Sequence, residues 1–340
     1  MEFARDKVIK LETIFGTTIS PIDVHTKRPL VSVVFPVYEP NHFFIDALAS
    51  VLHQDLGSED MQIAVVDDAS PTSDVVGLVA QAVPQGRVEV YRASENRGLA
   101  ENWNQCVRVA RGQIVHILHQ DDWVDAGFYR RLLSGLMSRP SVGMAFCRHA
   151  IFEDGENTVR YSHRERWRAG VLPRWLERIS ERQRIQCASA LVRRSVYEQL
   201  GGYCSDLCFA LDWEMWVRIA AHFPVWYEPR KLAYYRRHAQ SETQRLVVDK
   251  KADHDVLKAI EIFSEYLPAD VRGRLANAAY ASFARRTLKR LSRSGKDCQQ
   301  NLIELLESII GALDRVTGPA TQVSRLRRDV RRLEGRLRQQ

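Results

Sequence analysis

Two pairs of adjacent carboxylates and one isolated carboxylate carry the chemistry this sequence can offer. Residues 114–123 read Ile-Val-His-Ile-Leu-His-Gln-Asp-Asp-Trp, an apolar run of strand length that stops at Asp121-Asp122. Residues 61–66 form a second such run and stop at Asp67-Asp68. Like charges side by side repel unless a cation or a hydrogen-bond donor sits between them. Oxygen ligands suit Mg2+ or Mn2+, ions that bind through one or two carboxylates together with phosphates. Taken alone, Asp121-Asp122 reads first as a solvated turn that caps the next helix. Asp212, in Leu-Asp-Trp-Glu-Met-Trp, reads as the N-cap of a helix over 211–223.

The elements around these residues change that reading. Residues 30–37 are a buried-strand run ended by Pro36 and Tyr38-Glu39-Pro40. Phe43, Phe44, Ala47, Leu48, Val51 and Leu52 then repeat at helical period. A helix over about 72–83, a strand at 88–91, the turn Asn96-Arg97-Gly98, a helix closed by Gly112 and the strand from Ile114 complete an alternation of strand and helix. That alternation implies βαβ units, an α/β fold and a mainly parallel sheet. Ligands of such sheets bind beyond the carboxyl ends of the strands. Tyr38, Asp67-Asp68 and Asp121-Asp122 all stand at such ends, so they converge on one edge.

The second half is less regular. A strand is expected at 143–152, a helix at 193–200 stopped by Gly201-Gly202, and one or two short strands at 226–235 before Arg236-Arg237-His238. Residues 154–186 are polar, Arg-rich and unassigned, and 1–28 are irregular. After about 245 the pattern is helical, with breaks near Pro268 and Gly295. The organisation expected is an N-terminal extension (1–28), an α/β domain (29–245) and a helical C-terminal region (246–340).

The net charge of +7 is concentrated in that last region. Residues 285–296 hold six basic side chains and no acid, and 321–340 hold seven arginines against Asp329 and Glu334. The first 284 residues are nearly neutral, so the main domain carries no signature of nucleic-acid binding. Val323, Leu326, Val330, Leu333 and Leu337 step by three and four along the terminal helix. That helix reads as a solvated or internally packed face, as a homodimer seam, or as a peripheral dock on an anionic membrane surface. No apolar run approaches the ~18–20 residues that span a bilayer. The first residues lack the apolar core of a secretion signal, and the six cysteines show no CxxC spacing. A cytoplasmic protein, free or at the inner face of the membrane, is expected.

Over roughly residues 30–245 these motifs resemble the family 2 glycosyltransferases, which have the GT-A fold, a Rossmann-like central sheet flanked by helices. Val-Ser-Val-Val-Phe-Pro-Val-Tyr resembles the family's first strand, whose aromatic packs on the nucleotide base; Pro36 and Tyr38 take those places. Val-Val-Asp-Asp-Ala-Ser resembles its Val-Asp-Asp-x-Ser stretch, which implies that Asp68 accepts a hydrogen bond from the base. Asn96-Arg97-Gly98 resembles its Asn-x-Gly segment, and Glu39 departs from the Asn usual after the aromatic. Gln120-Asp121-Asp122 resembles its DxD-type motif, with Gln where an Asp often stands. The resemblance implies Asp122 as a metal ligand, Asp121 beside the sugar or ribose, and His238 as a second metal ligand. Leu-Asp-Trp-Glu-Met-Trp resembles the segment that carries the family's general base, which implies that role for Asp212.

The implied function is an inverting, Mn2+- or Mg2+-dependent transfer of one sugar from a nucleotide-diphosphate sugar to an acceptor hydroxyl, on a saccharide or a lipid-linked acceptor. The Gln-x-x-Arg-Trp motif of processive synthases is missing, which favours single addition. Two rivals are a sugar-nucleotide nucleotidyltransferase and a non-catalytic binding or scaffolding protein. The first is disfavoured because Pro-Val-Tyr-Glu-Pro, not a Gly-rich phosphate loop, follows the first strand. The second is disfavoured by the joint presence of Asp68, Asp122 and Asp212.

Overall fold

The computed structural model describes residues 8–10, 17–23, 25–83, 86–155, 159–249, 251–291, 303–312 and 328. The first half forms five strands, β1 (Val8–Lys10), β2 (Val31–Val37), β3 (Met61–Asp67), β4 (Glu89–Arg92) and β5 (Ile114–Ile117). They lie side by side in the order β1-β4-β3-β2-β5, all parallel. β2 and β3 are buried along their whole length, as continuous apolar runs in a doubly covered sheet require. Helices α1 (Phe43–Leu52), α2 (Val75–Ala82) and α3 (Leu99–Val109) make the crossovers. The stripe Phe44, Ala47, Leu48 and Val51 of α1 shares a core with Val31, Val33 and Phe35. Val34 points the other way, into the core that holds Trp103, Cys106 and Val107 of α3. Strand alternation thus feeds two cores, one on each face.

Pro36 occupies a central strand without breaking it. The β2–β5 pairing ends at Val34 opposite Ile117, so the N–H that proline lacks falls beyond the ladder. Residues 1–28, expected to be irregular, supply β1 and a packed stretch in which Ile19 is buried and the Thr17 carbonyl accepts from the Gly202 N–H (2.6 Å). A three-residue edge strand is too short to show a period.

The second half contains β6 (Trp123–Val124), α4 (Phe128–Met137), β7 (Met144–Glu153), β8 (Val159–Tyr161), β9 (Gly170–Val171), α5 (Trp175–Glu181), β10 (Ala190–Arg193), α6 (Arg194–Leu200), α7 (Leu211–His222) and β11 (Val225–Arg237). The sheet continues β5-β10-β7-β11-β6, with β10 antiparallel to both neighbours, β11 parallel to β7 and β6 antiparallel to β11. β11 is one long strand rather than one or two short ones. Its register shifts between Glu228 and Lys231 and again before Ala233, where Glu-Pro-Arg-Lys interrupts the apolar pattern.

Helices α8 (Glu242–Val248), α9 (Lys251–Tyr266), α10 (Arg272–Leu291) and helical residues 303–312 follow. They pack on the α/β half, sharing one core with α7: Phe263 meets Trp213 edge to face with ring centroids 5.2 Å apart. Among the described residues no helix is long and apolar enough to cross a membrane. The seam from Val323 to Leu337 and residues 292–296 of the first basic cluster lie outside the described residues.

Candidate functional site

The ends of β2, β3 and β5 do meet, and side chains tie them together. Gln120 bonds Tyr38 in both directions: the Tyr38 N–H donates to Oε1 (3.1 Å) and Nε2 donates to the Tyr38 carbonyl (3.2 Å). The Tyr38 ring is left 45% exposed at the rim, free to stack on a flat ligand. Asp68 receives the N–H groups of Arg97 (2.9 Å) and Gly98 (3.0 Å), and Asn96 Oδ1 also accepts from Gly98 (3.1 Å). Gly98 has φ +80°, a conformation that favours glycine. Asp68 therefore fastens the Asn96–Gly98 turn to the end of β3. Burial raises its pKa, and the two N–H groups oppose the rise. Asp67 is consumed internally by Ser70 (2.6 Å to Oγ) and the Arg92 guanidinium. Glu39, at the place where the family usually has Asn, accepts from the Thr72 N–H (2.8 Å) and both atoms of Ser73, and so holds the loop after β3.

The chain turns sharply after β5, with the Asp122 N–H donating to the His119 carbonyl (3.2 Å). The turn brings His119, Asp121 and Asp122 together, with their ligand atoms within 4.8 Å of one another. Asp122 is 1% exposed; it accepts from the Arg236 N–H (2.9 Å) and lies 3.6 Å from His119 Nδ1. Asp121 accepts from His238 Nε2 (3.0 Å). Arg236, stacked over Phe43 and Trp123, also donates to the Asp121 carbonyl (3.1 Å) and so clamps β11 to the turn. All three residues expected here from the sequence, Asp121, Asp122 and His238, are assembled. His119 was not singled out from the sequence, where it sits inside an apolar run; its i,i+3 spacing to Asp122 across a turn was the available signal.

This group of side chains suits a divalent cation. His119 Nε2 and His238 Nδ1 are buried without a hydrogen-bond partner. Burial pushes the His119 pKa down, towards the neutral imidazole that binds metals. Burial and the neighbouring Asp121 charge push Asp122 well up, the penalty that a cation would lift. The two carboxylates are oxygen donors that Mn2+ and Mg2+ accept.

Asp212 comes from the other half of the chain. It is not the N-cap of α7, a position held by Ala210. The N–H groups leading into that helix, on Cys208 (3.1 Å), Phe209 (2.7 Å) and Ala210 (2.7 Å), go to Asp255 of α9. No side chain caps α7, and Asp212 stands in its first turn, bonded to the Trp213 N–H (2.6 Å). Burial raises the Asp212 pKa to about 7, against the pull of Trp213 and the Gln183 side chain. Glu214, the other acid of that turn, is committed to Arg218 (2.7 Å) and Tyr266 (2.7 Å). The buried Cys187 thiol is pushed up first by burial and then by the charges of Asp212 and Asp122. His116, by contrast, is a core residue between Tyr129 (2.8 Å) and the Ala188 carbonyl (3.0 Å).

The family model for "Glycosyl transferase family 2" matches residues 32–201, half of the chain. The uncharacterized protein MT1568 of Mycobacterium tuberculosis is 28% identical over 247 residues, 69% of this chain and 76% of that protein. Residues 1–349 of S. aureus TarS, in complex with UDP-GlcNAc, superpose with a TM-score of 0.70 at 15% identity over 91% of each chain. The mannosyltransferase PcManGT of Pyrobaculum calidifontis, in complex with GDP-Man and Mn2+, gives 0.55 at 20% identity over 91% of this chain and 89% of that one. At such identities the structural likeness is one of fold, and the sequence match over half the chain decides the family: the chain belongs to glycosyl transferase family 2 and is a glycosyltransferase with the GT-A architecture.

Proposed function

We propose that the enzyme moves a single sugar from a nucleotide-diphosphate sugar to an acceptor hydroxyl with inversion at the anomeric carbon, and that it depends on a divalent cation. Tyr38 stacks on the base at the end of β2, beside Pro36. Asp68 and Asn96 shape the base pocket through the turn they hold, and the second lone pair on each Asp68 oxygen accepts from the base. Asp122 and His238, with His119, would hold the cation, and Asp121, expected beside the sugar or ribose, stands within reach of it as well. A bound ion would supply the charge that a departing diphosphate needs. Asp212 takes the proton of the attacking hydroxyl from the face opposite the diphosphate.

The observation that carries this reading is the state of Asp212. It is a buried carboxylate whose pKa is raised to about 7. A base works best when its pKa lies near the working pH. TarS was solved with UDP-GlcNAc and PcManGT with GDP-Man and Mn2+, which makes these donors and this ion the first to try. The test is a donor screen that follows release of nucleoside diphosphate with and without Mn2+. Release that needs the ion and one donor class is the expected result; release indifferent to Mn2+ would refute the metal assignment.

A further inference from the structure

A cavity of about 310 Å³ is lined by His149, Ser162, Glu165, Arg182, Arg184 and Arg286, with Gln183 in its wall. Gln183 links the cavity to Asp212: its side chain acts on the Asp212 carboxyl, and its Nε2 is buried without a hydrogen-bond partner. The charges in the cavity do not balance. Glu165 is taken by Arg184 (3.1 Å) and Arg178 (3.3 Å). Glu181, just outside, is shared between Arg285 (3.7 Å) and Arg184 (3.8 Å). Among the described residues Arg182 and Arg286 make no hydrogen bond and no ion pair within 4.0 Å. Both line the cavity, and the Glu181 charge reaches Arg286 without bonding it. His149 lines it too, 5% exposed, with Nδ1 buried without a partner and its pKa lowered by burial to about 4. Two guanidinium groups that no carboxylate bonds and an unpartnered imidazole nitrogen thus stand in one cavity. Guanidinium forks match the paired oxygens of phosphate and carboxylate.

We propose that this cavity seats an anionic group of the acceptor, a phosphate or a carboxylate, and thereby sets the acceptor hydroxyl in front of Asp212. The proposal rests on the glycosyl-transfer reading and adds the chemical class of the acceptor: a phosphorylated or acidic saccharide rather than a neutral one. It also gives α10 a part in the site, since Arg286 reaches the cavity from the C-terminal helices.

The experiment titrates glycerol 3-phosphate, methyl glucuronide, methyl glucoside and inorganic phosphate into protein freed of divalent ions, so that a diphosphate site does not compete. Wild-type protein is compared with Arg182→Gln/Arg286→Gln, with Arg286→Gln alone on the exposed side of its helix, and with Arg286→Lys. The expected result is binding of glycerol 3-phosphate or the glucuronide but not the neutral glucoside. The double variant should weaken it at least ~10-fold, the single Gln variant less, and Arg286→Lys least of all. Equal binding by the folded double variant, or by the folded Arg286→Gln variant should the double one fail to fold, would overturn the site. Inorganic phosphate binding as tightly as glycerol 3-phosphate would make a free ion the occupant and overturn the acceptor assignment. Mn2+-dependent binding of UDP and GDP is measured on the same preparations and should be unchanged in the variants. Its absence from the wild type would sink the donor reading while leaving the anion titration to decide the cavity.

Discussion

Asp68 and Asp212 are both sheltered carboxylates whose pKa burial raises, and they differ in the hydrogen-bond donors that oppose the rise. Asp68 has each oxygen on a backbone N–H, and its neighbours Asp67 and Glu39 are likewise saturated by hydroxyl, N–H and guanidinium groups. Asp212 has a single N–H at 2.6 Å and the Gln183 side chain, and burial outweighs them. N–H donors stabilise the charged form; burial opposes it. The acids after β2 and β3 therefore act as fixed anchors for loops. Asp212, with its pKa raised to about 7, exchanges a proton near neutral pH. Asp255 of α9 holds the stretch that leads into α7 through the N–H groups of Phe209 and Ala210.

The comparison is broken most severely at the cation. Asp121→Asn with Asp122→Asn should remove both transfer and Mn2+-dependent nucleotide binding, with the circular dichroism spectrum unchanged. Metal-dependent binding that persists in the folded double variant would place the ion elsewhere. Asp212→Asn comes next. It keeps an oxygen for the Trp213 N–H but cannot take a proton, so turnover should fall by ~10²–10⁴ while donor affinity holds. Near-normal turnover would end its role as base.

The pH profile sharpens the same contrast. Transfer by the wild type should rise as pH passes through about 7, where Asp212 loses its proton, and this limb should be missing from the residual activity of Asp212→Asn. Stability should move the other way. The folded pKa lies above the ordinary carboxylate value of 3.8, so between 3.8 and about 7 the folded state holds more protons than the unfolded one. This group's contribution then falls as pH rises through that window. Asp212→Asn should flatten that dependence, and its melting temperature at pH 8 should equal or exceed that of the wild type. A lower value would mean the carboxylate is a structural ion like Asp68.

The smallest effect is expected at Asp255→Asn, which leaves one acceptor for N–H groups that now share a full carboxylate. A cost of about 1–3 kcal/mol in chemical denaturation is expected, with turnover reduced less than in Asp212→Asn. A variant as stable as wild type would show that α7 keeps its place without this contact.

Much of the site could be read directly because the residues that form it are local. Tyr38, Asp68 and Asp121-Asp122 each follow an apolar run, and a parallel sheet brings the ends of such runs to one edge whatever the connecting helices do. His119 escaped because its partners depend on the turn after β5, which no period announces. The elements between 154 and 186 escaped because strands of two or three residues carry no pattern; they come into register only through β7 and β11. β11 was visible only in part because its bulges interrupt the alternation.

By itself the amino-acid sequence determined the alternating strands and helices, the strand-end carboxylates and the family, because these depend on periodicity and on short ordered motifs. Tertiary structure alone decided which carboxylates are anchors and which is free to act as a base. A carboxylate's proton affinity is set by burial and by the N–H groups that reach it. For Asp212 those determinants are burial, the Trp213 N–H and the Gln183 side chain, the last brought to it only in the folded protein.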